Sequence, residues 1–189
     1  MLFDNDIKEC LQTLAKGDLI LYPTDTVWGI GCDATNKNAV AKIYEIKKRA
    51  ESKSMIILLA KEEDISNYCE EHSPIIFDYV KGINKPVTVI YRNAKNLANN
   101  IINEDGSIAI RIVKDEFCSK LIEAFGKPIV STSANISGLP TPSLFIDIDI
   151  EIKNAMDYIV QYRQDDFTAA KPSSIIGVNP DGSINVIRK

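Results

Sequence analysis

Short apolar runs rich in β-branched residues recur along this chain with helix-patterned stretches between them, and that alternation limits the fold more than any other feature. Met55–Ala60 is apolar without a break, the pattern of a strand covered on both faces. Leu19–Tyr22, Val87–Tyr91, Ser107–Val113, Ile129–Thr132, Tyr158–Tyr162, Ser174–Val178 and Ile184–Ile187 read as further strands, the last two joined by an Asn-Pro-Asp-Gly turn. Between them, Ile7, Leu11 and Leu14 stand at helical spacing in Asp6–Lys16, which stops at Gly17. Asn36 is placed to cap a helix that carries Val40, Ile43 and Tyr44 on one face. Ser66–Lys81 has a helical pattern that Pro74 must break or restart, and Asp115 starts a helix running to Phe125, closed by Gly126 and Pro128. No repeat, low-complexity tract or linker divides residues 1–189. The expectation is one α/β (α+β) domain: a twisted mixed sheet with helices packed around it.

Composition removes several classes of function. Hydrophobic residues at 45% and charged residues at 25% are ordinary globular usage. The net charge of −4 gives no global basic surface for nucleic acid. A single histidine, His72, excludes any site needing two imidazoles, and its polar setting reads as surface. Cys10, Cys32, Cys69 and Cys118 lie far apart with no C-x-x-C pair, which favours reduced thiols over a zinc site or a disulfide framework. No apolar run approaches the ~20 residues of a membrane span. The start, MLFDNDIKEC, has no basic stretch leading into an apolar one, so the expected location is cytoplasmic.

Four places carry polar chemistry. The loop Pro23–Asp33 holds, within nine residues, two threonine hydroxyls, a carboxylate and two glycines, suited either to binding small polar groups or to a plain hydrogen-bonded turn. Trp28 reads as a wall of whatever that loop encloses, and Cys32 has no neighbouring histidine to activate it as a nucleophile. Between Asn36 and Lys53 six cations (Lys37, Lys42, Lys47, Lys48, Arg49 and Lys53) face two carboxylates. Such a cluster in an acidic chain fits an anion site, or else late-helix cations complementing the helix dipole. Ser131–Gly138, following a strand, is small and hydroxyl-rich, fit for a ligand at a strand's carboxyl end or for a helix cap. Arg111 stands mid-strand on the face of Ala109 and Val113, where it needs a partner, either a structural carboxylate or a ligand's. The phosphate-binding, dinucleotide, nucleophile-elbow and H-E-x-x-H motifs are all absent.

Taken together these segments resemble the YrdC-like L-threonylcarbamoyladenylate synthases. Pro23-Thr24-Asp25-Thr26-Val27-Trp28-Gly29-Ile30-Gly31-Cys32-Asp33-Ala34 is similar to the family's P-T-D-T-V-Y-G-L-G-C-D-A signature. Lys47, Arg49 and Lys53 fit its K-x-R element, and Ser107 with Arg111 fits its G-[ST]-[VI]-x-x-R strand. Ser131–Gly138 fits S-x-S-A-N-x-S-G, Pro140-Thr141-Pro142 the proline-bracketed hydroxyl, Ser173–Ile176 the S-T-I strand, and Arg188 the final arginine. These elements keep the family order from residue 20 to residue 188. The sequence departs at Ala50 and Ser54, where prolines are usual, at Ile83-Asn84-Lys85 within the W-P-G-P-L-T stretch, and at Lys189 in place of a glycine.

The resemblance implies a twisted α/β sheet with a concave, positively charged face. It implies a synthase that joins L-threonine, bicarbonate (or CO2) and ATP, with Mg2+ on the triphosphate, into threonylcarbamoyl-AMP and pyrophosphate. That product would pass to the other proteins of tRNA threonylcarbamoylation. The resemblance assigns Arg49, Lys53, Ser107, Ser133, Asn135, Thr141 and Arg188 to ATP, and Lys47 to charge in the transition state. Thr26, Arg111, Ser131 and Ser173 fall to threonine. Against this stand an RNA-binding module using the Lys37–Lys53 patch weakly, a weakly active paralogue of the same fold, and a carbamoyl-transfer domain.

Overall fold

The computed structural model describes residues 2–50, 55–70, 74–178 and 183–188. Helix α1 (Asp4–Ala15) ends on Lys16, and Gly17 takes the left-handed turn (φ 77°) that lets the chain reverse into strand β1 (Ile20–Tyr22). A second short strand, β2 (Gly29–Gly31), follows, and then α2 (Lys37–Ile46), whose first amides are capped by the Asn36 carboxamide. The uninterrupted apolar run becomes β3 (Ile56–Leu59). A 3₁₀ turn (Glu62–Asp64) leads into α3 (Ile65–Tyr68), and α4 (Pro74–Lys81) begins on the proline that was expected to break a longer helix. β4 (Val87–Tyr91), β5 (Ile108–Ile112), α5 (Glu116–Phe125) and β6 (Ile129–Ser133) come next. The chain closes with α6 (Ile150–Asn154), β7 (Tyr158–Ile159), β8 (Ser174–Val178) and β9 (Ile184–Arg188). His72 and the expected Asn179–Gly182 turn lie outside the described residues.

The described strands form one mixed sheet in the order β7-β1-β2-β6-β3-β5-β4-β8-β9, the expected architecture. β3 sits centrally, parallel to β5 and antiparallel to β6, with Ile57, Leu58 and Leu59 fully buried. Register decides which side chains meet. Ile56 opposes Ser131, and Leu58 opposes Arg111 and Ile129. Because side chains alternate along a strand, Arg111 and Ser131 emerge on one face of the sheet. Ser133 opposes Gly29, and Thr88 opposes Ile175, so this polar face continues across β2 and β8. On the other face Ile110, Val89, Val87 and Ile57 are buried. No helix among the described residues is long and apolar enough to cross a membrane.

Three expectations needed correction. The Pro23–Asp33 loop contains β2, and Ser131–Ser133 belongs to β6 rather than to a turn beyond it. The expected strand Tyr158–Tyr162 pairs for two residues only, because the amides of Gln161 and Tyr162 turn away to donate to Asp6.

Candidate active site

The polar face of the sheet opens into a cavity of about 180 Å³ lined by Thr26, Val27, Gly29, Arg49, Met55, Ile56, Arg111, Ser131, Thr132, Ser133, Thr141, Pro172, Ser173, Ile175 and Arg188. Three arginines reach it from three different places: the segment just after α2, the middle of β5 and the end of β9. Eight of the expected site residues (Thr26, Arg49, Arg111, Ser131, Ser133, Thr141, Ser173 and Arg188) are thus brought together from positions up to 162 residues apart.

Arg111 is held from behind. It is 2% exposed, and its NH2 lies 3.1 Å from Asp25 Oδ1. NH1 donates to Thr26 Oγ1 (3.0 Å) and NH2 to Thr24 Oγ1 (3.4 Å). Thr24 is itself locked, through its hydroxyl, to Thr26 Oγ1, to the Val27 carbonyl and to the Thr26 amide. The alternatives left open for Arg111 are therefore not exclusive, since a structural carboxylate partners it while it lines the cavity. Its Nε is buried without a hydrogen-bond partner among the described residues.

At the far end, Arg188 donates from Nε and NH2 to the Ser173 carbonyl (3.0 and 2.8 Å), and Ser173 Oγ shares a 2.8 Å hydrogen bond with Thr88 Oγ1. Burial lowers the pKa of Arg49, and burial together with Arg111 lowers that of Arg188. Crowded cations of this kind favour an anion between them.

Three expected residues stand elsewhere. Lys47 does not line the cavity. It is 1% exposed beneath it, and Nζ donates to the carbonyls of Ser133 and Asn135 (2.6 Å to the latter). Burial, with Arg49 nearby, lowers its pKa to about 8. Ser107 is buried in a turn, bonded to Asp105 Oδ1 (2.6 Å) and Asn103 Nδ2 (2.9 Å). Asn135 spans its loop to the carbonyls of Ile136 and Leu139, leaving a buried Oδ1 with no partner among the described residues. Lys53 lies outside the described residues.

Cys32 is fully buried with its thiol pKa pushed far up by burial, so it is no nucleophile, and Trp28 packs on Phe145 (4.7 Å) beside the cavity. Asp25, Thr24 and Thr88 fall within the motif segments, but none was assigned a site role from the sequence, although the demand of a mid-strand arginine for a buried partner pointed to a carboxylate like Asp25.

Comparison with known proteins shows what the chain resembles. The Sua5/YciO/YrdC family, described under the heading telomere recombination, matches residues 12–189. A threonylcarbamoyl-AMP synthase of Vibrio parahaemolyticus is 34% identical over 140 residues, 72% of this chain and 75% of the relative. One from Blochmanniella pennsylvanica is 31% identical over 177 residues, 90% of this chain and 88% of the relative. Among solved structures, P. abyssi Sua5 complexed with L-threonine superposes with a TM-score of 0.80 at 26% identity, covering 91% of this chain. The chain spans about half the length of that protein, 50%. Because the family matches residues 12–189, nearly the whole chain, the chain belongs to the Sua5/YciO/YrdC family.

Proposed function

We propose that the chain is a threonylcarbamoyl-AMP synthase: L-threonine, bicarbonate or CO2, and ATP become threonylcarbamoyl-AMP and pyrophosphate. The observation that carries the reading is the cavity itself, where Arg49, Arg111 and Arg188 converge with six hydroxyl-bearing residues. The threonine amine adds to CO2 and loses a proton, giving a carbamate. A carbamate oxygen then attacks the α-phosphorus of ATP, and the bond to the β-phosphate oxygen breaks as pyrophosphate leaves. Nothing in these steps needs a covalent protein nucleophile. They need two anions held in line and negative charge neutralised as it moves onto the leaving group.

Arg111 takes the threonine carboxylate, with Thr26, Ser131 and Ser173 around it. Arg49, Ser133, Thr141 and Arg188 face the nucleotide, and Lys53 belongs with them by its place in the motif. Lys47 acts through the backbone by holding the Ser133 and Asn135 carbonyls, and Ser107 and Asn135 shape the loops beside the cavity. Among the described residues no group of three or more His, Cys, Asp or Glu side chains could hold a metal ion. Mg2+ enters with ATP as part of the substrate, carried by phosphate oxygens and water. The product passes to the proteins that complete tRNA threonylcarbamoylation, in the cytoplasm. Direct RNA contact by this acidic chain is weak and salt-sensitive.

Incubation with MgATP, L-threonine and bicarbonate, followed by mass analysis, is the test. Threonylcarbamoyl-AMP and pyrophosphate should appear together and only when both threonine and bicarbonate are present. ATP turnover indifferent to threonine would refute the assignment.

A further inference from the structure

Arg163 lies outside the cavity lining, yet its surroundings hold it more tightly than a surface arginine requires. Its backbone is left-handed (φ 67°), a region where a bulky non-glycine residue persists only when its neighbours over-determine it. The segment before it is tied down by buried Asp6, which accepts from Tyr158 Oη (2.6 Å) and from the amides of Gln161 and Tyr162 (2.9 Å each). The Tyr162 ring packs on Phe3 (4.9 Å) and Phe117 (5.9 Å), and Gln164 Nε2 reaches back to the Val160 carbonyl (2.8 Å). The anchored guanidinium pairs with Asp115 Oδ2 (3.0 Å) and Asp166 Oδ2 (3.4 Å), and it donates to the Thr24 carbonyl (3.4 Å).

The other end of the link is equally specific. Asp115 Oδ1 caps α5 through the Cys118 amide (2.9 Å), and Cys118 Sγ donates to the Pro23 carbonyl (3.3 Å). Two successive carbonyls, Pro23 and Thr24, are thereby strapped to the start of α5. The next two residues, Asp25 and Thr26, together with the Thr24 hydroxyl, hold the Arg111 guanidinium.

We propose that Arg163 is a positioning residue for the amino-acid substrate: by clamping the Thr24 carbonyl against α5 it sets the Thr24–Thr26 loop and, through it, the orientation of Arg111. The inference rests on the assignment of Arg111 to the threonine carboxylate. A merely structural Arg163 would weaken both substrates together. A positioning Arg163 weakens threonine selectively, because Arg49, Ser133, Thr141 and Arg188 stand on other elements.

The test is calorimetric titration of L-threonine, and separately of ATP, into the wild type, Arg163→Ala and Arg163→Lys. Arg163→Ala should weaken threonine about tenfold, about 1.4 kcal/mol, with ATP affinity within about twofold. Arg163→Lys, which keeps the charge but not the fork, should fall between. If Arg163→Ala fails to fold, Asp115→Asn carries the test, since it keeps the α5 cap and removes the nearer of the two charges that hold Arg163. Threonine should then weaken by about threefold. Unchanged threonine affinity in a folded variant, or equal loss for both ligands, overturns the inference while leaving the Arg111 assignment intact. A wild type that takes ATP but no threonine sinks both.

Discussion

Arg111 is where stability and function meet in one side chain. Removing it strands the Asp25 carboxylate, 9% exposed, in the interior, and breaking such a pair by one partner costs about 3–5 kcal/mol. It also removes the proposed threonine partner, worth about 1.5–3 kcal/mol for a charge-assisted bond. The two effects separate in a double variant. Arg111→Met should lower the denaturation midpoint sharply, and adding Asp25→Asn should restore much of it, because no uncompensated charge then remains. Threonine KM should stay raised in both variants while ATP KM moves little. A double variant that regains threonine affinity would remove Arg111 from the substrate site.

Lys47 makes a separate argument at the same scale. Its pKa, lowered from 10.5 to about 8, means the folded state holds its proton less firmly than the unfolded chain does. Between pH 8 and 10.5 the unfolded state therefore binds more protons, and stability contributed through this group rises with pH across that window. Lys47→Met, which cannot titrate, should lose that upward slope in the difference of unfolding free energy against the wild type. It should also be less stable by about 2–4 kcal/mol near neutral pH, since the Ser133 and Asn135 carbonyls lose their donor. If turnover survives Lys47→Met while the slope vanishes, the lysine is purely structural.

At the scale of elements, β2 shows how tertiary space overrides local propensity. Gly29–Gly31 is a poor strand by composition, and the sequence reads as a loop there. A Cβ on Gly31 would lie 2.6 Å from Tyr22 Cε1 and 2.9 Å from the Val130 carbonyl, so the glycine is there to let the Tyr22 ring lie across the strand. Gly31→Ala should cost about 1–3 kcal/mol in chemical denaturation, with the same sign in every buffer, because backbone cannot move aside cheaply. A neutral effect would mean β1 and β2 slide freely.

The elements that were legible carried their own signals, such as the Asn36 and Asp115 caps, the Gly17 and Gly126 stops, and the apolar run of β3. Those that were not depend on partners distant in sequence. β7 is cut short by Asp6, 152 residues before Tyr158. The same division holds for the site. Motif spacing pointed to the residues that line the cavity, but not to Lys47 facing backbone carbonyls or to Arg163 bracing the loop, because both are set by side-chain direction and by contacts that no local pattern encodes.

For the whole molecule, the charge distribution matters more than its sum. The chain carries 22 Lys and Arg against 26 Asp and Glu, yet the cavity gathers three arginines, two of them with pKa values lowered by burial and one of those also by a neighbouring cation. Holding like charges together without an anion weakens the folded state, and a bound polyphosphate relieves that repulsion. ATP, or pyrophosphate alone, should therefore raise Tm, and at a hundredfold excess over Kd the stabilisation is about 2.7 kcal/mol. Sodium chloride at the same ionic strength should not reproduce the shift, since chloride cannot bridge several guanidinium groups at once. Arg49→Ala, which takes one cation from the cluster but leaves the Arg111–Asp25 pair intact, should shrink the ATP-dependent shift. RNA tests the opposite expectation: the net charge opposes its approach, so a tRNA should give little protection and lose it as salt rises from 50 to 200 mM. Protection by tRNA that outlasts salt, together with none from pyrophosphate, would mean that the arginines serve a nucleic-acid surface and not a nucleotide pocket.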